Sequence, residues 1–144
     1  MKYRQKISYC ILLSLSIIFF SCNKYREILP DVAKIKIIIY IREDNIDREN
    51  YFVEITDIKE IKRISKYITS IPSPSYKCGY NGKIEFICKN DKILLDAEFN
   101  SDCNTIVFVY DDKIYHRRIS NNGLKYIEKI IKEITEKYNK EMFL

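Results

Sequence analysis

Alternating hydrophobic and polar residues predict a β-hairpin at the start of the folded part of the chain. In KIKIIIYIR, residues 34–42, isoleucines at every second position share one side of a strand, and Lys34, Lys36 and Arg42 lie on the other. A polar stretch leads to YFVEIT, residues 51–56, which alternates in the same way. Two such strands joined by a polar loop predict a hairpin with one solvated face.

The hydrophobic period then changes to that of a helix. Isoleucines recur at helical spacing in DIKEIKRISKYITS, residues 57–70, and Asp57 with Glu60 three positions later matches a helix-capping pair. The helix must end before Pro72, because the residue preceding a proline avoids the helical region. The segment IPSPSYKCGYNG, residues 71–82, is rich in turn-forming residues and predicts a long irregular loop.

Four short strands and a final helix are predicted after this loop. The strand segments are GKIEFIC, ILLDAEF, TIVFVY and KIYHRRIS, separated by polar turns. In LKYIEKIIKEITEKY, an apolar stripe at helical spacing predicts an amphipathic helix that docks on the sheet. The element order ββαββββα predicts an α+β fold, with an antiparallel sheet of about six strands and two helices packed on one face.

The N-terminal segment follows neither pattern. Residues 1–6, MKYRQK, carry three positive charges, and residues 7–21 carry none. This apolar run lacks the polar stripe of a core helix and is shorter than a membrane span, which needs about 18 to 20 apolar residues. A basic head, a short apolar run and a small residue before a cysteine are typical of a secretory signal peptide.

The end of this run, FFSC at residues 19–22, resembles the lipobox of bacterial lipoproteins. The usual box has Leu in place of Phe19 and a small residue in place of Phe20. The resemblance implies cleavage after Ser21 and attachment of acyl chains such as palmitate to Cys22, with an uncleaved anchor and ordinary secretion as the alternatives. Asn23 is not an acidic retention signal, so the resemblance also implies the outer membrane of a Gram-negative envelope, on its periplasmic or surface face.

Processing at this site divides the chain into a signal peptide at residues 1–21, a tether at residues 22–33 and a single α+β domain at residues 34–144. The whole chain has 25 Lys and Arg against 20 Asp and Glu, and loss of the three signal-peptide charges leaves 22 against 20. A net charge of +2 does not indicate a basic nucleic-acid binder, so we predict no nucleic-acid partner.

Three cysteines remain once Cys22 is lipidated and Cys10 has left with the signal peptide. In an oxidising compartment two of the three are expected to pair. Cys88 lies at an inward strand position, where a thiol packs as a small hydrophobic group, whereas Cys78 and Cys103 lie in irregular segments. We therefore predict a disulfide between Cys78 and Cys103. A functional thiol is the alternative, but the chain lacks the C-x-x-C arrangement of redox enzymes.

The sequence does not indicate a catalytic or metal site, and we predict no cofactor, no metal and no enzymatic activity. Zinc sites need three or four spaced ligands, whereas His116 is the single histidine. The chain has no G-x-S-x-G motif and no glycine-rich phosphate loop. A Ser-His-Asp set stays open as an alternative, because its members converge only in space. Asp96 and Glu98 on one strand face are more typical of a solvated face than of an acid–base pair.

Four residues are candidates for binding. Tyr76 and Tyr80 lie in the long loop beside the predicted disulfide, and rigid loops with aromatic residues are common recognition elements. A loop that only covers the sheet end is the alternative. Tyr115 and Arg117, within YHRR, are candidates for an anion or partner patch, or for a polar strand edge that discourages aggregation.

From Asp57 onward the chain is similar to small uncharacterised lipoproteins of Gram-negative bacteria, which imply no known activity. This resemblance depends on the signal region and on the segment KCGYNGKIEF. The function predicted is a lipid-anchored, non-enzymatic envelope protein that binds another protein, as an inhibitor or immunity-like protein. A structural or envelope-assembly lipoprotein is the alternative, and an enzyme would require a cleft with convergent polar groups.

Overall fold

The computed structural model of the protein describes residues 24–43, 46–48, 51–75 and 77–142. In these ranges the chain forms a 3-10 helix, two α-helices and nine strands. The 3-10 helix is Lys24–Asp31, and the α-helices are α1, Ile58–Ser65, and α2, Asn121–Met142. The strands are β1 Val32–Ile39, β2 Ile41–Glu43, β3 Ile46–Arg48, β4 Phe52–Ile55, β5 Ile68–Pro72, β6 Gly82–Cys88, β7 Ile93–Asn100, β8 Thr105–Tyr110 and β9 Lys113–Ile119.

Seven strands form one antiparallel sheet in the order β4-β1-β6-β7-β8-β9-β5, and β2 and β3 pair separately as a small hairpin. This arrangement confirms the predicted α+β fold, with one strand more in the sheet than the predicted six. The additional strand is β5, which pairs with β9 at the edge of the sheet. Because β4 and β5 form the two opposite edges, α1 passes across one face of the sheet to connect them.

Strand alternation divides the sheet into two faces with different surroundings. One face, called the covered face, packs against both α-helices. Its buried sheet residues include Ile35, Ile37, Ile39, Ile68, Ile84, Phe86, Leu95, Ala97, Phe99, Ile106, Phe108 and Ile119. Ile61 and Ile64 of α1 and Ile127, Ile130 and Ile134 of α2 belong to the same core cluster. Full burial of an Ile or Phe side chain contributes about 1.5 to 3 kcal/mol, so this face holds the domain together.

The opposite face, called the open face, carries no helix within the described ranges. One cross-strand row on it consists of Glu54, Lys36, Glu85 and Asp96. The next row consists of Phe52, Ile38, Lys83, Glu98, Val107 and His116, in which Ile38 is buried. The alternation of the strands therefore gathers charged residues of β1, β6 and β7 on one side, together with a few apolar ones.

Helix α1 begins where it is predicted to begin but ends earlier. The Asp57 carboxylate accepts a hydrogen bond from the backbone N–H of Glu60 at 2.8 Å, which confirms the capping residue. The helix ends at Ser65, and Ile68 begins β5 where a last helical turn is predicted. Ile68 is buried by pairing with Ile119. Ile68 lies four positions after Ile64, so it matches the helical period. A buried residue at the start of a strand can occupy the same position, and the pattern alone does not distinguish the two.

The segment that precedes β1 is also more ordered than the spacer the sequence suggests. Residues of the predicted tether form the 3-10 helix, and β1 begins at Val32. Tyr25 is 4% exposed, its hydroxyl donates a hydrogen bond to the Ile68 carbonyl at 2.8 Å, and its ring lies 5.2 Å from that of Phe108. Tyr25 docks the segment together with the partly buried Ile28 and Leu29, and so few apolar residues leave no clear periodic signal in the sequence.

Candidate functional site

The long loop between β5 and β6 is attached to the sheet by its second half. A disulfide joins Cys78 to Cys103 in the β7–β8 turn, with 6.7 Å between the two Cα atoms, which confirms the predicted pairing. The Asn100 side-chain amide donates hydrogen bonds to the carbonyls of Cys78 at 3.3 Å and Gly79 at 3.1 Å. The Asn81 side-chain oxygen accepts a hydrogen bond from the backbone N–H of Ser101 at 2.7 Å. The loop therefore has a fixed position over the β7–β8 turn.

The predicted site residues have separate locations. Cys22 and Tyr76 lie outside the described residues. Tyr80 is half-buried in the attached half of the loop, between Gly79 and Asn81. Gly79 has φ of 70°, a backbone conformation that glycine adopts without steric cost.

Tyr115 and Arg117 lie on the covered face, away from the open side of the sheet. The Tyr115 ring stacks on the ring of Phe108 at 5.3 Å, and the Arg117 guanidinium lies 5.1 Å from the centre of the Tyr115 ring. Strand alternation splits the YHRR segment, so that His116 and Arg118 lie on the open face instead. The loop that carries Tyr80 is bonded to Asn100, which alternation also places on the open face. The half of the loop that carries Tyr80 therefore lies away from Tyr115 and Arg117, although the start of the predicted loop segment contacts β9, where Pro72 pairs with Arg117.

Ion pairs join charged residues within and between the strands of the open face. The Lys83 ammonium lies 2.8 Å from the Glu85 carboxylate and 3.6 Å from that of Asp96. Lys34 pairs in the same way with Asp91 at 3.0 Å and with Glu54 at 3.7 Å. These ion pairs link β1 to β4, β1 to the β6–β7 turn, and β6 to β7, in addition to the backbone hydrogen bonds between strands.

The carboxylates of the open face outnumber their basic partners around Lys83. Glu85, Asp96 and Glu98 lie beside this ammonium, whereas Lys36 lies opposite Glu85 with its own ammonium 4.1 Å from the centre of the Phe52 ring, and no ion pair of Glu98 is found within the described residues. Partial burial raises the pKa of Asp96, although the charge of Lys83 opposes the rise. Partial burial also raises the pKa of Glu98, and the nearby charge of Asp96 adds to the effect. This region of the face therefore carries excess negative charge that is not fully solvated.

A cleft opens on the same face where β7 and β8 separate. The two strands pair only from Ala97 with Phe108 to Asn100 with Thr105. Beyond these pairs lies an open cleft of about 420 Å³, called the β7–β8 cleft. It is lined by Ile93, Leu94, Leu95, Asp96, Glu98, Val107, Phe108 and Val109. Its rim is apolar, since the side chains of Ile93 and Val109 are 46% and 60% exposed. Sequence periodicity locates both strands but not the length over which they pair, so the sequence contains no signal for this cleft.

Other kinds of site are not found in the part of the chain that the structure describes. Those residues include no group of three or more His, Cys, Asp or Glu side chains placed to hold a metal ion. Cys88 is a free thiol, half-buried, and it donates a hydrogen bond to the side-chain oxygen of Asn90 at 2.6 Å. Among the same residues, no helix combines the length and apolar character needed to span a membrane.

Comparison with known proteins finds no family model, no curated protein and no solved structure that matches this chain.

Removal of the disulfide tests how firmly the loop is attached. The bridge spans 25 residues of sequence, and Cys103→Ser should lower the free energy of unfolding by about 3 kcal/mol through the larger entropy of the unfolded chain. Denaturant unfolding under non-reducing conditions measures this change. Cys88→Ser is the matched control, because that thiol is free, and it should cost less. A reductant should reduce the stability of the wild-type protein to that of Cys103→Ser, and an unchanged wild type would contradict the assignment.

The raised pKa of Glu98 predicts a pH-dependent effect on stability. A carboxyl group with a folded-state pKa above its unfolded value favours the folded state at low pH, and this contribution is lost as pH rises through the folded-state pKa. Glu98→Gln should therefore raise the free energy of unfolding at pH 7 by up to about 0.5 kcal/mol, a small value because water screens the group. At about pH 3, where the carboxyl group is protonated, the difference should vanish.

Urea unfolding of both proteins at the two pH values measures this difference. Glu133→Gln on α2 is the control, since that carboxylate is exposed and pairs with Lys129 at 3.6 Å. Its removal should give no gain in stability at pH 7. A loss of stability in Glu98→Gln at pH 7 would show that the Glu98 carboxylate is stabilised by its surroundings, contrary to the expected sign.

Proposed function

We propose that this protein is a lipid-anchored lipoprotein of a Gram-negative envelope, held at the outer membrane through Cys22, and that its domain binds another protein without catalysing a reaction. The anchor is supported by the basic head, the short apolar run and the lipobox-like FFSC segment. An inhibitor or immunity-like role is the favoured form of this binding, in which the domain blocks an enzyme or toxin that reaches the envelope.

The observation that carries the proposal is an attached loop combined with exposed apolar side chains on the open face. The Cys78–Cys103 disulfide restricts the loop before any partner arrives, which lowers the entropy lost on binding. Val109 and Ile114 are a cross-strand pair, 60% and 67% exposed, next to partly desolvated carboxylates. Exposed apolar patches with polar rims are typical of interaction surfaces.

The distance between anchor and domain also supports a role at the membrane surface. Tyr25, which is buried in the domain, lies only three positions after Cys22 in the sequence. Fully extended, three residues span about 10 Å. A lipid on Cys22 would therefore hold the domain close to the headgroups, where it meets proteins that enter or cross the envelope.

An envelope-assembly component is the second candidate, and the edges of the sheet favour it. The edge strands β4 and β5 carry Phe52 and Ile71, which are 46% and 55% exposed. Exposed edges with apolar side chains are suited to pairing with further strands, as in multivalent assemblies. This candidate predicts weak association with several partners, whereas an inhibitor predicts a one-to-one complex.

Crosslinking in native cells tests the proposed function. The tagged, lipidated protein should capture a single protein in a one-to-one complex, and mass spectrometry should find an acylated N-terminus at Cys22. Replacement of both Tyr76 and Tyr80 by Ala should weaken capture by about tenfold or more, as expected for aromatic residues that anchor an interface. Ile58→Ala on α1 is the control, because Ile58 is 65% exposed and lies outside the loop.

Two results would contradict the proposal. Weak capture of many envelope proteins, unaffected by the tyrosine replacements, would favour the assembly role. Recovery of the acylated protein alone would contradict the proposal that the domain binds a protein. An unmodified N-terminus at Met1 would contradict the proposal of a lipid anchor.

A further inference from the structure

The β7–β8 cleft is bordered by two strand edges that face each other without pairing. Ile93, Leu95 and Asp96 of β7 are paired with β6 on one side, with an irregularity at Leu94, and Val109 and Tyr110 of β8 are paired with β9 on one side. Within the described residues, no strand pairs with the other side of either segment. Unpaired backbone N–H and C=O groups at a strand edge are a template for a further strand, which gains main-chain hydrogen bonds on binding. Here the template has two edges instead of one.

The chemistry of the two walls restricts what such a strand can carry. On the open-face side the cleft presents the carboxylates of Asp96 and Glu98. The nearest basic group, Lys83, is closer to Glu85 at 2.8 Å than to Asp96 at 3.6 Å, so negative charge at the cleft is not balanced. Because the carboxylates are already partly desolvated, a cation placed beside them has less water to displace.

The deep side of the cleft is apolar. Leu95 and Phe108 reach it from the covered face, where they belong to the core and are 3% and 2% exposed. Successive side chains of an added strand point to opposite faces of the sheet. One set would therefore lie near Asp96 and Glu98, and because Leu95 and Phe108 keep almost no accessible surface, the apolar contacts of the strand would be made with the exposed rim residues Ile93 and Val109.

We propose that the β7–β8 cleft binds an extended segment of the partner protein as an added β-strand, and that this segment alternates Lys or Arg with aliphatic residues. The proposal rests on the protein-binding function proposed above and assigns to it a location and a partner chemistry. Four residues of β7 are unpaired on the cleft side, so a segment of about four residues, some 13 Å long, fills the template. The basic residues bind the carboxylates, and the aliphatic residues bury apolar surface against the exposed rim at Ile93 and Val109.

Three synthetic peptides of six residues test this proposal on the folded domain. The first alternates lysine and valine, the second alternates glutamate and valine, and the third alternates lysine and proline, which keeps the charge but removes half of the backbone donors. NMR titration should show saturable one-to-one binding of the first peptide. Amide exchange should slow at residues 93–96 and 109–110. The second peptide should bind at least about tenfold more weakly, and the third should leave amide exchange unchanged.

Variants of exposed residues separate the contributions of charge and shape. The double change Asp96→Asn with Glu98→Gln should weaken binding of the lysine–valine peptide by about tenfold at low salt. Val109→Arg should weaken it further through charge repulsion and bulk, and the 60% exposure of Val109 allows the domain to fold. Glu133→Gln on α2 removes a carboxylate far from the cleft in sequence and should leave binding unchanged. An unchanged NMR spectrum outside the cleft confirms that each variant is folded.

Several results would overturn the inference. These are equal binding of all three peptides, no binding of the first peptide, or no effect of the cleft variants. Slowed exchange at residues 93–96 in concentrated protein without peptide would show that a second copy occupies the cleft instead. If a partner is captured in cells and its binding does not change in Val109→Arg, the assignment of partner binding to the cleft is wrong. The protein-binding function would remain intact. Peptide binding that meets every expectation, with no captured partner, would instead contradict the protein-binding function alone.

Discussion

The packing of β6 is the constraint on which the rest of the structure depends. This strand pairs with β1 on one side and β7 on the other, and it buries Ile84 and Phe86 on the covered face. A slip of one residue in either pairing would turn Lys83 and Glu85 toward the core and the two apolar side chains toward water. Burial of those charges without their partners would cost several kcal/mol, so the hydrophobic alternation determines a single register.

That register also determines what the open face presents. Because Lys83 and Glu85 must lie opposite the core, their cross-strand neighbours Glu98 and Asp96 lie there too. Three carboxylates then surround Lys83, with Lys36 opposite Glu85, and partial burial raises the pKa of Asp96 and Glu98. A sheet selected only for stability would not gain from partly desolvated like charges, which is why we propose this surface as the place where a partner binds. The core and the candidate site are thus two consequences of one pattern of alternation.

Local sequence patterns were sufficient for much of this fold. Strict alternation in β1 and β4 predicts their pairing, and the apolar stripe of α2 predicts its packing on the sheet. The disulfide follows from the locations of Cys78 and Cys103 in irregular segments, with Cys88 on a strand. Each of these features depends on residues close in sequence or, for the disulfide, on which two of three cysteines pair. Periodicity and turn chemistry are therefore enough to predict them.

Features that depend on distant contacts could not be predicted in this way. β5 is a strand because Ile68 pairs with Ile119, and the 3-10 helix is docked by Tyr25 through the Ile68 carbonyl. The β7–β8 cleft depends on where two strands stop pairing, which twist and packing determine. Tyr115 and Arg117 lie beside each other, but their contact with Phe108 on the covered face depends on register across strands.

Residue-resolved hydrogen exchange of the free domain tests the two-faced sheet and its cleft most directly. Amides of β6, paired on both sides, should exchange slowest, because opening them requires disruption of the core. The cleft-facing amides of residues 93–96 and 109–110 should exchange much faster than those of residues 97–100 and 105–108, which pair across β7 and β8. Equal protection along the whole of β7 and β8 would mean that the strands pair over their full length. The cleft would then be closed, and the open face would lack the site assigned to it.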